Sequence, residues 1–298
     1  MKFAFSTIAC PGWDFQNLVA RAKEFGYDGV ELRSLLNETD PIAANVFLSE
    51  PGKIQKLFAG AGIEIACISS SIAMTGDRRA DQRSADECRR YIDSAAAVGC
   101  GMVKILDTSV PRRSSRTDAA VALAKWLSPL AEYAAQRRVT LLVENALSFR
   151  TAKELWMVLE QVNHPALAVC WDVFNAAVIG ESPNISVPTL NSKIQFVHVR
   201  DALIKDGPAV PCAFGEGDVP LAILMQRLMG IGYAGYVSVE SDKAWLTDLA
   251  APEVVLPAAL KKLKQWIAPP VKAAPAPKPA AAKEAIKKPA PAVAPAAV

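Results

Sequence analysis

Short apolar runs recur along this chain, each followed by a stretch of helical periodicity, and four consecutive runs close on an ionisable residue. These are Glu144 in TLLVEN, Asp172 in LAVCWD, His198 in IQFVHVR and Glu240 in YVSVE, at spacings of 28, 26 and 42 residues. That spacing is about one strand plus one helix, with the last unit stretched by an insertion. The runs are continuous rather than alternating, as expected of parallel strands covered by helices.

Eight such runs are present, at 2–8, 28–33, 63–69, 102–107, 140–145, 167–172, 194–200 and 236–240. Helical patterns follow at 13–26, around 52–60, and at 85–99, 118–137, 152–162, 219–230 and 252–267, with only a weak one after the sixth run. Several close on glycine, a common helix stop. Strict alternation of strand and helix predicts a parallel α/β fold. Eight units within residues 1–267 predict a (β/α)8 barrel, which as a single domain of about 250 residues overrides the two-domain prior set by length. An open doubly wound sheet is the competing architecture, but no run is followed by the G-x-G-x-x-G turn of its nucleotide-binding members.

Residues 268–298 differ in kind. They are Ala, Pro and Lys in low complexity and hold 8 of the 21 prolines, a density that predicts an extended, disordered tail. The tail carries five lysines and one glutamate, so the net charge of +3 leaves −1 on the preceding residues. The expected barrel therefore has no basic excess, and nucleic acid is not an expected partner. For the tail, a tether and a weak contact with an anionic surface are both open.

The six cysteines form no C-x-x-C pair, and Cys67 and Cys170 lie inside apolar runs. Reduced thiols in a cytoplasmic protein are expected. MKFAFSTIAC opens like a signal peptide, but its apolar run is short and meets Pro-Gly and Asp at once, so it reads as a first strand. No run approaches the roughly 18 residues of a membrane helix.

In a (β/α)8 barrel, functional groups gather at the C-terminal strand ends. Glu144, Asp172, His198 and Glu240 end the fifth to eighth strands, neighbours around half the ring. Each carboxylate alone is explained by helix capping or an ion pair. Four together, in register, predict one divalent metal, because buried carboxylates this close cost several kcal/mol without a cation. Oxygen donors with one imidazole suit Mn²⁺ or Mg²⁺, with Co²⁺ or Zn²⁺ as alternatives. The other histidine, His164, precedes the sixth strand and is expected to be structural.

Other candidates surround these four. Glu31 and Arg33 end the second strand, Lys104 lies within the fourth, Asn145 follows Glu144, and Trp13 follows the first strand. Glu216 sits between glycines in the long loop 201–218. All are candidates for substrate contact, against ordinary roles in ion pairs, packing or turns.

GYDGVELR, LLVEN, VCWDVFNA, FVHVRDA, FGEGDVP and GYAGYVSVE together make the chain resemble the sugar phosphate isomerase/epimerases, xylose-isomerase-like TIM barrels, over residues 1–267. The resemblance implies that Glu144, Asp172, His198 and Glu240 bind one metal, with Glu144 and Glu240 also the acid/base pair. It implies that Arg200 contacts substrate, and that the protein is a homodimer. Many relatives carry a histidine three residues after the metal-binding aspartate; here the residue is Asn175, which hydrogen-bonds hydroxyls but shuttles no proton near neutral pH.

The expected activity is isomerisation or epimerisation of a sugar or sugar derivative through an enediolate, one glutamate removing the proton beside a carbonyl and the other returning it. Two alternatives remain: elimination from a keto-sugar or keto-cyclitol by a dehydratase or lyase, and a sugar-binding protein without turnover. The three-metal abasic-site endonucleases that share the barrel need more histidines than the two present.

Overall fold

The computed structural model describes residues 1–43, 47, 49–109, 114–204 and 207–268. The low-complexity tail from residue 269 on, and the disorder expected for it, lie outside the described residues. Eight parallel strands close a barrel: β1 (Lys2–Ser6), β2 (Gly29–Leu32), β3 (Glu64–Ser69), β4 (Met102–Leu106), β5 (Thr140–Glu144), β6 (Leu167–Asp172), β7 (Ile194–Val199) and β8 (Tyr236–Val239). They run in chain order around the ring, and β1 pairs with β8 to close it, Phe3 opposite Val237 and Phe5 opposite Val239. The fold is the expected (β/α)8 barrel.

The surrounding helices are α1 (Phe15–Phe25), α2 (Pro51–Ala61), α3 (Arg78–Ala97), α4 (Arg116–Gln136), α5 (Ala152–Val162), α6 (Val173–Val178), α7 (Pro183–Leu190), α8 (Leu221–Gly230) and α9 (Pro252–Ile267). Their starts are written in capping residues. The Asp14 carboxylate accepts from the Asn17 N–H at the head of α1, and Thr151 with Glu154 forms a capping box at the head of α5. Gly26 ends α1 at φ 83°, a left-handed conformation that glycine adopts without strain.

Four elements differ from the expectation. α3 starts seven residues early, at Arg78, because Asp77 caps it and its first two turns are polar, showing no apolar period. The first strand stops at Ser6 and turns into a 3₁₀ segment, Thr7–Ala9. The weak helix after β6 is two helices, and the loop after β7 holds a small antiparallel hairpin, Ala202–Leu203 with Val210–Pro211.

Strand parity divides the core in two. Val30, Val143, Trp171, Val197 and Val239 face outward and pack against helices in one large cluster. Ala4, Cys67, Leu142, Ala168, Cys170, Phe196 and Tyr236 form a separate cluster, the filling of the barrel itself. Two register shifts tune that parity. The pairing of β6 with β7 skips Gln195, so that Cys170 faces Phe196 and Asp172 faces His198; the pairing of β2 with β3 skips Ala66, so that Glu31 faces Cys67. A one-residue bulge turns every later side chain to the other face, and here both bulges send the ends of their strands into the barrel mouth.

Candidate metal and proton-transfer site

The interior parity of β2, β5, β6, β7 and β8 ends on Glu31, Glu144, Asp172, His198 and, just past β8, Glu240, and Lys104 joins them from within β4, opposite Leu142. All six are buried. His198 is the hub. Its Nδ1 lies 3.1 Å from Glu144 Oε1 and 3.6 Å from Glu240 Oε1, and its Nε2 lies 2.9 Å from Glu31 Oε1. Two groups of mutually close ligand atoms share this imidazole: Glu144–Asp172–His198 and Glu31–His198–Glu240.

Two cations brace the carboxylates. Lys104 Nζ meets Glu144 Oε2 at 2.7 Å and donates to the Ser70 carbonyl at 3.1 Å. Arg200 spans the mouth, donating to Glu240 Oε2 at 2.7 Å and Asp172 Oδ2 at 3.0 Å, with its guanidinium 4.4 Å from the centre of the Phe174 ring. Arg200 also reaches the Asn175 side-chain oxygen at 3.5 Å. Asn175 donates its backbone N–H to Asp172 Oδ1, so Asp172 caps α6 as well as facing the centre.

This crowding shifts every ionisable group. Burial pushes Glu240 up to about 7, with Glu31 and Asp172 adding to it against His198 and Arg200. Burial acts upward on Glu144 too, but Lys104 and His198 hold it well below the usual carboxylate range. Glu31 also ends below its ordinary value, burial being outweighed by His198, Ser238 and Ser69. Asp172 is raised by burial despite Arg200. For His198, burial favours the neutral ring, yet the carboxylates of Glu240 and Glu31 lift it well above an ordinary histidine. Cys170 beneath it is pushed up to about 12 by burial and stays a neutral thiol. Lys104 is lifted above the ordinary lysine value because Glu144 overcomes the effect of burial.

The donor set fits a hard divalent ion. Four buried carboxylates against Lys104 and Arg200 leave two uncompensated negative charges when His198 is neutral. A divalent cation supplies that charge, and oxygen donors with a single imidazole suit its coordination. The alternative, protonating buried carboxylates, is the response Glu240 already shows.

The remaining candidates fall at varying distances from the centre. Asn145 makes a two-way link with the Asp172 backbone, accepting its N–H at 2.7 Å and donating to its carbonyl at 2.9 Å, and so ties the end of β5 to that of β6. Arg33 is held by the Thr39 carbonyl and Ser71 hydroxyl and lies over the Trp245 ring. Trp13 is half-buried, edge-on to Phe5 at 6.4 Å. Glu216 is exposed in a turn closed by its own N–H on the Ala213 carbonyl. His164 sits at the opposite end of β6, its Nδ1 accepting from the Ala166 N–H.

Two aspartates escaped the sequence reading. Asp107, just past β4, accepts from the backbone N–H groups of Ala146, Leu147, Ser148 and Phe149, and so shapes the loop that leaves Glu144. Asp201 does the same after β7, accepting from Gly215 and Gly217; a side chain at Gly217 would meet the Asp201 carboxylate and the Ala202 carbonyl at 2.6 Å. In both, the sequence signal was present but weak: an aspartate at a strand end followed by a long polar loop. A cavity of about 420 Å³ opens beside Glu240 and Arg200, with Phe174, Phe214, Leu246 and Val254 among its walls.

A closed eight-stranded barrel with carboxylates, an imidazole and two cations at the C-terminal strand ends defines the class: a (β/α)8 barrel with a metal-type centre at its mouth. Residues 19–266 match the family model for the xylose isomerase-like TIM barrel, and the chain belongs to that family. A 3-dehydroshikimate dehydratase of Pseudomonas putida is 26% identical over 251 residues, 80% of this chain and 38% of the relative. Fructoselysine 3-epimerase of Shigella flexneri is 26% identical over 184 residues, 59% of this chain and 64% of the relative. The chain thus spans about two fifths of the first relative and under two thirds of the second. Among solved structures, the IOLI protein with a bound zinc atom superposes with a TM-score of 0.74 at 18% identity, over 89% of this chain and 96% of that one, a likeness of fold. Among the described residues no helix is long and apolar enough to cross a membrane, and all six cysteines are free.

Proposed function

We propose that the chain is a divalent-metal-dependent isomerase or epimerase of a sugar or sugar derivative, moving a proton beside a carbonyl through an enediolate. The observation that carries this reading is the pair of buried glutamates, Glu144 and Glu240, that both bring an oxygen to His198 Nδ1, at 3.1 and 3.6 Å, while their other oxygens rest on Lys104 and Arg200. Glu144 is held ionised by Lys104, and Glu240 is pushed up to about 7 by burial. A pair of carboxylates driven apart in this way is suited to give and take a proton.

In this reading Glu144, Asp172, His198 and Glu240 hold the ion, with Mn²⁺ or Mg²⁺ best suited to the donors. When bound, it supplies Lewis acidity toward a carbonyl and its neighbouring hydroxyl. Glu144 keeps Oε2 on Lys104 and Glu240 keeps Oε2 on Arg200, which fixes how each carboxylate faces the substrate while its Oε1 lies toward His198. Arg200 closes the rim and is placed to meet an oxygen of the substrate, whose body extends into the adjoining cavity. Asn175 offers a hydrogen bond to a hydroxyl without adding charge. A homodimer belongs to this proposal, and sedimentation velocity reads it directly.

Elimination is the second reading. It is favoured by the dehydratase relative, whose match covers more of this chain than the epimerase match does. The same enediolate expels a β-hydroxyl when one is present.

Solvent exchange separates the readings. The protein is incubated with Mn²⁺ in D₂O against ketoses, keto-acids, inososes and 3-dehydroshikimate. Deuterium beside the carbonyl of recovered or epimerised substrate is the expected result. Loss of water with an ultraviolet-absorbing unsaturated product selects elimination. Binding without exchange or product across the panel overturns both and leaves a sugar-binding protein.

A further inference from the structure

Glu31 enters the centre from β2, on the opposite side of the imidazole from Glu144. The two ring nitrogens of His198 face different surroundings. An ion at Nδ1 meets Glu144 Oε1 and Glu240 Oε1, which lie 3.1 and 3.6 Å from that nitrogen; Nε2 meets Glu31 Oε1 at 2.9 Å. Glu31 is completely buried, and both of its oxygens already have donors. The Ser69 hydroxyl and His198 serve Oε1, and the Ser238 hydroxyl serves Oε2 at 2.6 Å. Three strands, β3, β7 and β8, thus supply partners to a carboxylate that stands on β2.

We infer that Glu31 is a positioning residue: it accepts the Nε2–H of His198, fixes that tautomer, and aims Nδ1 at the metal. This rests on the metal reading of the site given above. A carboxylate in this place orients the ring and raises the basicity of its other nitrogen, and loss of such a partner commonly weakens metal binding by about 10–100-fold. The two serines matter because each donates to an oxygen of Glu31 and so restrains the carboxylate that faces Nε2. A carboxylate so committed has little left to offer an ion. As a ligand it would also require an ion at Nε2, away from Glu144.

The chain has two histidines, His164 and His198, so the state of each ring is readable by ¹⁵N-histidine labelling and long-range ¹H–¹⁵N spectra. In the full chain titrated with Zn²⁺, the His198 ring is expected to keep its proton on Nε2 while the Nδ1 resonance moves. Glu31→Gln is expected to weaken Zn²⁺ binding roughly 10–100-fold, with the far-ultraviolet circular dichroism of the wild type. Ser238→Ala, which leaves the carboxylate in place but removes one donor, gives a smaller loss in the same direction and keeps a test in hand if Glu31→Gln fails to fold. Zn²⁺ on Nε2, or Zn²⁺ affinity unchanged in the variants, overturns the inference. A lowered melting temperature with unchanged affinity does so too, because it marks a packing role alone. Wild-type spectra in which Zn²⁺ leaves His198 unmoved overturn the metal reading itself, and this inference with it.

Discussion

The two ends of the barrel are built from the same eight strands and the same inward parity, yet they hold opposite contents. At the N-terminal end the interior is filled by aromatic bulk. Tyr236 lies against Phe196, its hydroxyl donates to Glu64 at 2.7 Å, and Gly29 leaves room for its ring. The charges there are at the surface: Lys2 and Glu64 pair at 2.6 Å with both side chains about half exposed. At the C-terminal end the interior holds four carboxylates, an imidazole, a lysine and an arginine, all but Arg200 nearly sealed from water. Apolar filling stabilises by burial and packing. A buried ionic cluster repays its desolvation only through its partners, and often not fully. One end stabilises the barrel, and the other holds ionisable groups whose desolvation costs stability.

The sharpest way to break this contrast is at the mouth. Glu240→Gln keeps shape and removes a proton carrier, so substrate deuterium exchange falls by about 10²–10⁴-fold while the barrel stays folded. Exchange at wild-type rate ends the assignment of Glu240. Phe196→Ala tests the middle layer, where the ring touches both ends, edge-on to His198 at 5.6 Å and against Tyr236 at 6.1 Å. A loss of about 3–5 kcal/mol in urea unfolding is expected, together with weaker Mn²⁺ binding because the ring under the imidazole is gone. Unchanged Mn²⁺ affinity shows that the two ends are energetically separate.

Gly29→Ala belongs to the far end. The new methyl meets the Glu64 carbonyl at 2.9 Å and the Tyr236 ring at 3.0 Å, and overpacking of this kind costs about 1–3 kcal/mol. Metal affinity should not change; a drop there joins the floor of the barrel to its mouth. The smallest effect is one of pH. Glu64 sits below its ordinary pKa, first through its hydrogen bond with Lys2 and, against some burial, that with Tyr236. A depressed carboxylate contributes stability that is present above the unfolded value of about 4.3 and lost as pH falls through the folded value. Lys2→Met therefore lowers the melting temperature slightly near neutral pH, with the gap to wild type closing in acid. A gap that widens in acid reverses the sign and removes Lys2 as the cause.

Much of the mouth was legible in the sequence because strand ends can be read along the chain. Glu144, Asp172 and Glu240 follow apolar runs directly, and His198 lies one residue from the end of its strand. Parity then carries each side chain inward. Glu31 was legible as a strand-end residue but not as the partner of His198, since β2 and β7 are separated by β1 and β8 around the ring. No local pattern relates two strands that meet only across the interior. The bridge that Arg200 makes from Asp172 to Glu240 joins the ends of the neighbouring strands β6, β7 and β8, and was hidden because Arg200 lies past its strand, where parity no longer sets the direction of a side chain; α3 began early because its first turns carry no apolar signal.

The sequence by itself determined the eight β/α units and the chemistry carried to the strand ends, because periodicity and residue type are local properties. Tertiary structure alone decided which carboxylate faces which ring nitrogen. That choice depends on the single-residue bulge at Gln195, on the strand that carries His198, and on barrel closure, which brings together across the interior side chains 167 residues apart in the chain. It is this closure that sets Glu31 and Glu144 on opposite sides of His198.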